Sequence, residues 1–259
     1  RTRNEGRVRA LKALRVERAQ RRELSGNVKM TLANAQASGK KVIEAKEVTL
    51  GFGDRVLVRD FSAKIMRGDR IGLIGPNGSG KTTLLESVLF ITGAIRRKGS
   101  VREGNTVGDG SPESRERQMS VEVSAASTEY LGDRWTFLDC PGSIEMIQES
   151  WNALKVVDAA VVVCEPVVER ALMVAPLFKF LEDQAIPHLV FINKVDTASS
   201  RIGDVLKALR SVSGPPLVLR QVPIRKGEAI TGYVDLASGR AYAYRPGQAS
   251  ELVSVPEDV

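Results

Sequence analysis

Apolar residues fall along this chain in short runs whose spacing changes from one region to the next. Over residues 6–25, Val8, Leu11, Leu14 and Val16 are set among arginines and good helix formers with no proline, which predicts a helix. Ser25-Gly26-Asn27 and Ala37-Ser38-Gly39 read as breaks. Val42 to Leu50, Val56 to Val58 and Phe61 to Met66 then predict three short antiparallel strands, with a turn at 51–54. Arg67-Gly68-Asp69 turns the chain into a further apolar strand, Ile71 to Ile74, followed by a helix-like stretch from Leu84 to Phe90.

Residues 96–118 are polar, charged and glycine-bearing, with no apolar period, and read as one long mobile loop. Met119–Val123 and Arg134–Leu138 are expected to pair as a hairpin around Gly132-Asp133. Beyond it, strand Ala159–Cys164, helix Arg170–Asp183, strand His188–Ile192 and helix Ile202–Ser211 alternate, with a helix over Ile147–Val156 before them. Such alternation with strongly apolar strands predicts an α/β fold with a mostly parallel sheet covered by helices. From Pro215 onward, prolines and glycines punctuate short β-like runs such as Tyr233–Leu236 and Ala241–Tyr244, which reads as a small β-rich appendage. The regions expected are therefore a basic arm at 1–41, antiparallel strands at 42–70, an α/β core at 71–214 and a β-rich part at 215–259.

Charge sharpens the reading of the arm. Residues 1–41 hold twelve Lys/Arg against three Glu, a local +9; the whole chain carries +7, so the remaining 218 residues sum to −2. A basic helix of this kind suits a phosphate backbone such as ribosomal RNA, neutralising charge without DNA sequence readout. The alternative is a solvated linker helix. The two cysteines, Cys140 and Cys164, lie in or beside apolar strand runs and read as buried thiols. No apolar run nears the ~18 residues of a membrane span, and no leader opens the chain, so a cytoplasmic location with no membrane partner is expected.

The chemistry centres on Gly75-Pro76-Asn77-Gly78-Ser79-Gly80-Lys81-Thr82-Thr83, a G-x-x-x-x-G-K-T motif between a strand and a helix. Its glycines let successive backbone N–H groups curl around phosphate oxygens, and the helix starting near Lys81 favours the same anion. Lys81 is expected to reach the β- and γ-phosphates and Thr82 to help hold Mg²⁺. The core is thereby a P-loop NTPase three-layer sandwich. Two more motifs end later strands: Asp139-Cys140-Pro141-Gly142 and Asn193-Lys194-Val195-Asp196. Ligands of open α/β sheets bind beyond the carboxyl ends of the strands, so all three can meet one nucleotide.

Asp139 is placed for Mg²⁺, the Gly142 N–H for the γ-phosphate, and Asp196 for the N1–H and 2-amino group of guanine, with Asn193 and Lys194 bracing the base edge. Ser120 is a candidate second hydroxyl ligand, the alternative being an ordinary serine at a strand start. The candidate catalytic residues are Lys81, Asp139 and Gly142; the expected cofactors are Mg²⁺ with GTP or GDP ahead of ATP. His188, Arg170, Trp135 and Trp151 are given no functional role.

From about Glu86 to Val259 the chain resembles the G domain of translational GTPases, most of all bacterial elongation factor G-like proteins. Asn105–Asp109, Met119-Ser120, Phe137–Ser143, Pro187–Asp196 and Tyr244–Gln248 carry the resemblance. It implies GTP binding and slow, ribosome-stimulated hydrolysis. Where elongation factor G has a water-positioning histidine after D-x-P-G, this chain has Ser143, which implies weak turnover. The resemblance also implies that the chain stops before the final strand and helix of the domain, leaving strand 188–192 at a sheet edge, with low solubility expected.

Residues 1 to about 85 instead resemble the linker and second-cassette start of ABC-F ATP-binding proteins. Thr2–Leu11, Val48–Asp60 and the cassette form of the phosphate loop carry that likeness, which implies that Phe52 stacks on adenine. The downstream cassette motifs are lacking. The chain reads as two half-proteins joined at a motif both families share.

Overall fold

The structure, a computed structural model, describes residues 41–52, 55–66, 68–108, 110–197, 201–227, 229–245 and 248–256, with the backbone alone for 41–66. The helix expected at 6–25, and the whole arm with it, lies outside the described residues. So do the side chains of the strands that follow it.

Strands β1 (Lys41–Phe52) and β2 (Arg55–Met66) pair antiparallel as a two-stranded sheet of their own. Two long strands thus replace the three short ones expected. The polar Arg59-Asp60 pair reads as a break, yet the ladder runs past it and absorbs the irregularity in register shifts between Ala45, Val48 and Leu50.

The central sheet has the order β4-β5-β3-β6-β7, built from β3 (Arg70–Ile74), β4 (Ser124–Tyr130), β5 (Asp133–Asp139), β6 (Ala159–Cys164) and β7 (His188–Ile192). β3 pairs parallel with both β5 and β6, and β6 with β7; only β4 runs antiparallel, against β5. The helices are α1 (Lys81–Ile91), α2 (Pro112–Arg117), α3 (Ile147–Leu154), α4 (Val168–Leu172), α5 (Ala175–Asp183) and α6 (Ile202–Val212).

Alternation along β3 sends neighbouring side chains into different cores. Leu73 packs with Leu85 and Leu89 of α1 and Phe137 of β5. Ile74 packs with Leu154, Phe178, Leu181 and Leu209 from α3, α5 and α6. Helices therefore cover both faces, giving a mixed α/β, three-layer P-loop fold whose core the sheet divides.

Strands β8 (Gln221–Lys226), β9 (Ala229–Asp235), β10 (Arg240–Ala243) and β11 (Glu251–Val253) form a second, all-antiparallel sheet in the order β11-β10-β9-β8. It closes over a small cluster of Ile224, Val234 and Ala241.

Three local expectations change. The strand expected at Met119–Val123 begins instead at Ser124, because the turn fixes the register. Leu131 and Gly132 both take positive φ (54° and 81°), making a two-residue turn that pairs Tyr130 with Asp133 and Ser124 with Asp139. The loop at 96–118 is partly ordered. It contains a 3₁₀ turn, Val101–Glu103, and α2, whose Ser111 hydroxyl accepts from Ser114 N–H at 3.2 Å with Pro112 at the first helical position. The single helix expected over Arg170–Asp183 is two, because Pro176 lacks an N–H and its ring would meet the carbonyl of Leu172.

Candidate functional site

β3 delivers the phosphate loop and α1 receives it. Gly75, Gly78 and Gly80 take φ of 150°, 80° and 91°, conformations in which a side chain is strained. Space is closed as well: a Cβ on Gly75 would collide with the Val163 carbonyl, and one on Gly80 with the Asn193 amide. Lys81, 6% exposed, donates from Nζ to the carbonyls of Gly75 (3.0 Å) and Pro76 (3.2 Å), so its ammonium lies folded along the loop. Burial lowers its pKa, while the nearby Asp139 and Cys140 act in the opposite sense. The Ser79 hydroxyl is buried and finds no hydrogen-bond partner among the described residues. Asn77 and Gly78 are exposed at the loop's outer turn, Thr83 lies exposed on α1, and the Asn77 amide reaches the sulfur of Met119 at 3.7 Å.

Three oxygen-bearing side chains meet at the start of α1. Thr82 Oγ1 donates to Asp139 Oδ2 at 2.6 Å and lies 3.3 Å from Ser120 Oγ. Asp139, fully buried, ends β5 one strand away from the loop. All three candidate metal ligands are thus brought together from α1, β5 and the segment before β4. Among the described residues no cluster of three or more His, Cys, Asp or Glu forms. Two hydroxyls and one carboxylate are a hard-oxygen set, which suits Mg²⁺ retaining part of its water shell.

Gly142 presses directly on the phosphate loop. A Cβ there would stand 2.6 Å from Lys81 Nζ, 2.7 Å from Asn77 N and 2.8 Å from Pro76 C. Ser143 follows and opens a 3₁₀ turn, Ile144–Met146, whose Ile144 is exposed.

From the far side, the loop after β7 reaches back to the same place. Asn193 Nδ2 donates to Ser79 O at 2.9 Å, and Lys194 Nζ to Gly78 O at 2.6 Å. Lys194 takes φ 55°, and its carbonyl accepts from both Thr197 N–H and Thr197 Oγ1 at 3.0 Å, shaping the 3₁₀ turn Val195–Thr197 that exposes Asp196. The phosphate loop and the 193–196 loop are therefore one hydrogen-bonded unit. Phe52 ends β1, and its side chain lies outside the described set.

Two acidic residues at this site were not singled out in the sequence. Glu86 of α1, 1% exposed, accepts from Gly99 N–H at 2.6 Å and Val107 N–H at 2.7 Å. Its signal is a charge on the stripe Thr82, Leu85, Glu86, Leu89, which is otherwise the buried face. Glu165 directly follows β6, at the strand end where ligands of such sheets gather, and pairs with both Lys194 and Arg170. Burial raises its pKa, but hydrogen bonds and charge from Lys194 and then Arg170 outweigh that and hold it below the usual carboxylate value. Arg170, given no role from the sequence, thus belongs to this cluster.

Comparison with known proteins bears on both halves of the chain. Residues 67–244 match the family model described as the elongation factor Tu GTP binding domain. The chain is 55% identical over 189 residues to the elongation factor G-like protein of Synechocystis sp., covering 73% of this chain and 28% of that protein. It is also 58% identical over 89 residues to the ATP-binding protein Uup of Escherichia coli K12, covering 34% of this chain and 14% of Uup. A crystal structure of a Thermus thermophilus protein superposes with a TM-score of 0.67 at 31% identity, covering 74% of this chain and 29% of that one. The chain thus spans less than a third of the length of these relatives.

Proposed function

Since the chain belongs to the family of elongation factor Tu-type GTP-binding domains, we propose that it is a Mg²⁺-dependent guanine-nucleotide-binding domain of translation-factor type with weak GTP hydrolysis. The observation that carries this reading is the pair of bonds from Asn193 to Ser79 and from Lys194 to Gly78, which set the turn bearing Asp196 beside the phosphate loop. The Asp196 carboxylate accepts from the N1–H and 2-amino group of guanine, donors that adenine does not present in that arrangement. Lys81 leaves its carbonyl partners to neutralise phosphate charge, and the loop N–H groups hold the phosphate oxygens. Thr82, Ser120 and Asp139 would hold Mg²⁺, which supplies charge neutralisation at the β- and γ-phosphates. Gly142 brings its N–H to the γ-phosphate. Ser143 has too short a reach and too weak a basicity to orient a water as an imidazole does, which supports slow turnover.

A second reading is favoured by the likeness to Uup: residues 1–85 derive from an ABC-F-type ATP-binding protein, with Phe52 stacking on adenine. The basic arm at 1–41, with twelve Lys/Arg against three Glu, supports contact with ribosomal RNA. No helix among the described residues is long and apolar enough to cross a membrane.

Titration with fluorescent GDP and ADP in Mg²⁺, on the unaltered chain, Asp196→Ala and Phe52→Ala, separates the readings. GDP binding lost with Asp196→Ala supports the guanine reading. Preferential ADP binding, lost with Phe52→Ala, overturns it.

A further inference from the structure

Glu165 occupies an unusual position for a carboxylate. It is 8% exposed, yet its two oxygens engage two cations from different elements, Oε1 with Lys194 of the 193–196 loop and Oε2 with Arg170 of α4. The cluster does not end there. Lys194 Nζ is shared between Glu165 and the Gly78 carbonyl of the phosphate loop. The backbone beneath is tied in the same sense, since Asn193 N–H donates to Cys164 O at 2.8 Å, one residue before Glu165.

Lys194 is otherwise poorly restrained. Its side chain is 44% exposed and its backbone sits in the left-handed region, which is strained for a residue with a Cβ. A long flexible ammonium holding one carbonyl would lose that bond to water readily. A buried, doubly paired carboxylate at its flank restricts it to one geometry, and Arg170 keeps that carboxylate charged and in place.

We infer that Glu165 is a positioning residue for guanine-nucleotide retention: by holding Lys194 on Gly78 it locks the base-reading loop to the phosphate loop and slows release of GDP. This inference rests on the guanine-binding reading above. Lys194 touches the nucleotide site directly, whereas Glu165 acts only through it. The expected signature is therefore a faster off-rate with little change in association, because the loops still meet but part more easily.

The test is stopped-flow displacement of fluorescent GDP from the full chain in Mg²⁺. Glu165→Gln is isosteric and removes the charge; it is expected to raise the dissociation rate about five- to tenfold, the effect of weakening one charge-assisted, partly exposed contact. Glu165→Asp keeps the charge on a shorter arm and is expected to recover part of the loss. In a Lys194→Met background, Glu165→Gln is expected to add nothing to the release rate, whereas an effect routed through Arg170 or through general packing would give the same increment in both backgrounds. Unchanged release from Glu165→Gln, or the same increment with and without Lys194, overturns the inference while the guanine reading stands. An unaltered chain that binds no GDP overturns both.

Discussion

The buried carboxylate of Glu86 makes the most demanding structural prediction. It accepts from two backbone N–H groups, Gly99 at 2.6 Å and Val107 at 2.7 Å, and so fastens both ends of one loop to α1. Glu86→Gln preserves volume but leaves a single acceptor oxygen, and turns an NH₂ group toward the other N–H. Hydrogen bonds to a charged acceptor contribute about 1.5–3 kcal/mol each, and a neutral one about 1. Exchanging two of the first kind for one of the second costs about 3 kcal/mol. At about 1.4 kcal/mol per factor of ten, that is roughly a hundredfold or more in the opening equilibrium of the loop.

Hydrogen exchange of the Gly99 and Val107 amides, read by mass spectrometry, measures that opening directly. If opening is instead coupled to global unfolding, Tm falls by about 6–12 °C, from about 2–4 °C per kcal/mol for a domain of this size. Ser87→Ala, one residue along the same helix and on its more exposed side, is the control and should stay within about 0.5 kcal/mol of the unaltered chain. Protection of both amides unchanged in Glu86→Gln, together with an unchanged Tm, refutes the reasoning.

Gly142→Ala places a Cβ within 2.8 Å of phosphate-loop backbone, an overlap that costs about 1–3 kcal/mol where the proposed function puts the γ-phosphate. A non-hydrolysable GTP analogue should lose about tenfold or more in affinity by calorimetry while GDP changes little; equal losses would count against the Gly142 role. Burial pushes both Cys140 and Cys164 up to about 12 from a reference of 9.0. Between these values the unfolded chain sheds thiol protons that the fold retains, so stability falls with rising pH by about 1.4 kcal/mol per pH unit per thiol. Denaturant melts from pH 8.5 to 11 should show this slope flattening in Cys140→Ala/Cys164→Ala, and parallel curves would contradict it. Leu189 and Phe191 stand 57% and 37% exposed on β7, the edge of the central sheet among the described residues. Lysine at both positions should reduce concentration-dependent association in sedimentation velocity; unchanged association would show that the edge is not the contact.

How far such features could be read in advance depends on the range of the interactions that produce them. The three motifs that meet at the end of the central sheet were legible because each is a local solution: a glycine pattern for a curled loop, and an acidic residue at or just beyond a strand end. β6 and β7 were legible with their boundaries because each is an almost wholly apolar run of five or six residues, although only β6 is largely buried. β4 was misplaced because Ser124-Ala125-Ala126-Ser127-Thr128-Glu129-Tyr130 is mostly small and polar. Its place comes from the Leu131-Gly132 turn and from pairing with β5, which outweigh propensity. The break before α5 was available in Pro176, and the start of α2 in Ser111-Pro112, though each was masked by a longer pattern around it. Glu86 and Glu165 carried only a faint local signal, a charge on an apolar stripe and a carboxylate after a strand, and their roles come from distant partners. Gly99, Val107 and Lys194 lie 13, 21 and 29 residues from their carboxylates, distances no local pattern encodes, and Arg170, only five residues from Glu165, follows a strand end and so has no helical spacing to mark the pair.

The sheet topology also bears on which half of the chain selects the nucleotide. β1 and β2 pair with each other and share no ladder with β3, whose neighbours are β5 and β6. From Gly68 onward the chain is tied into the central sheet, with Gly68 N–H on Arg134 O at 3.2 Å and Thr136 N–H on Asp69 O at 3.3 Å. Every polar contact described within the candidate nucleotide site comes from residues 75–197, and β1–β2 contributes no strand to the sheet that bears it. Deleting residues 1–66 is accordingly expected to leave GDP affinity within about threefold, as for structurally independent parts. Were Phe52 the base-stacking residue in an adenine site, the same deletion would abolish nucleotide binding. Loss of GDP binding in a deleted chain that still melts cooperatively would return the choice of base to the first half of the molecule.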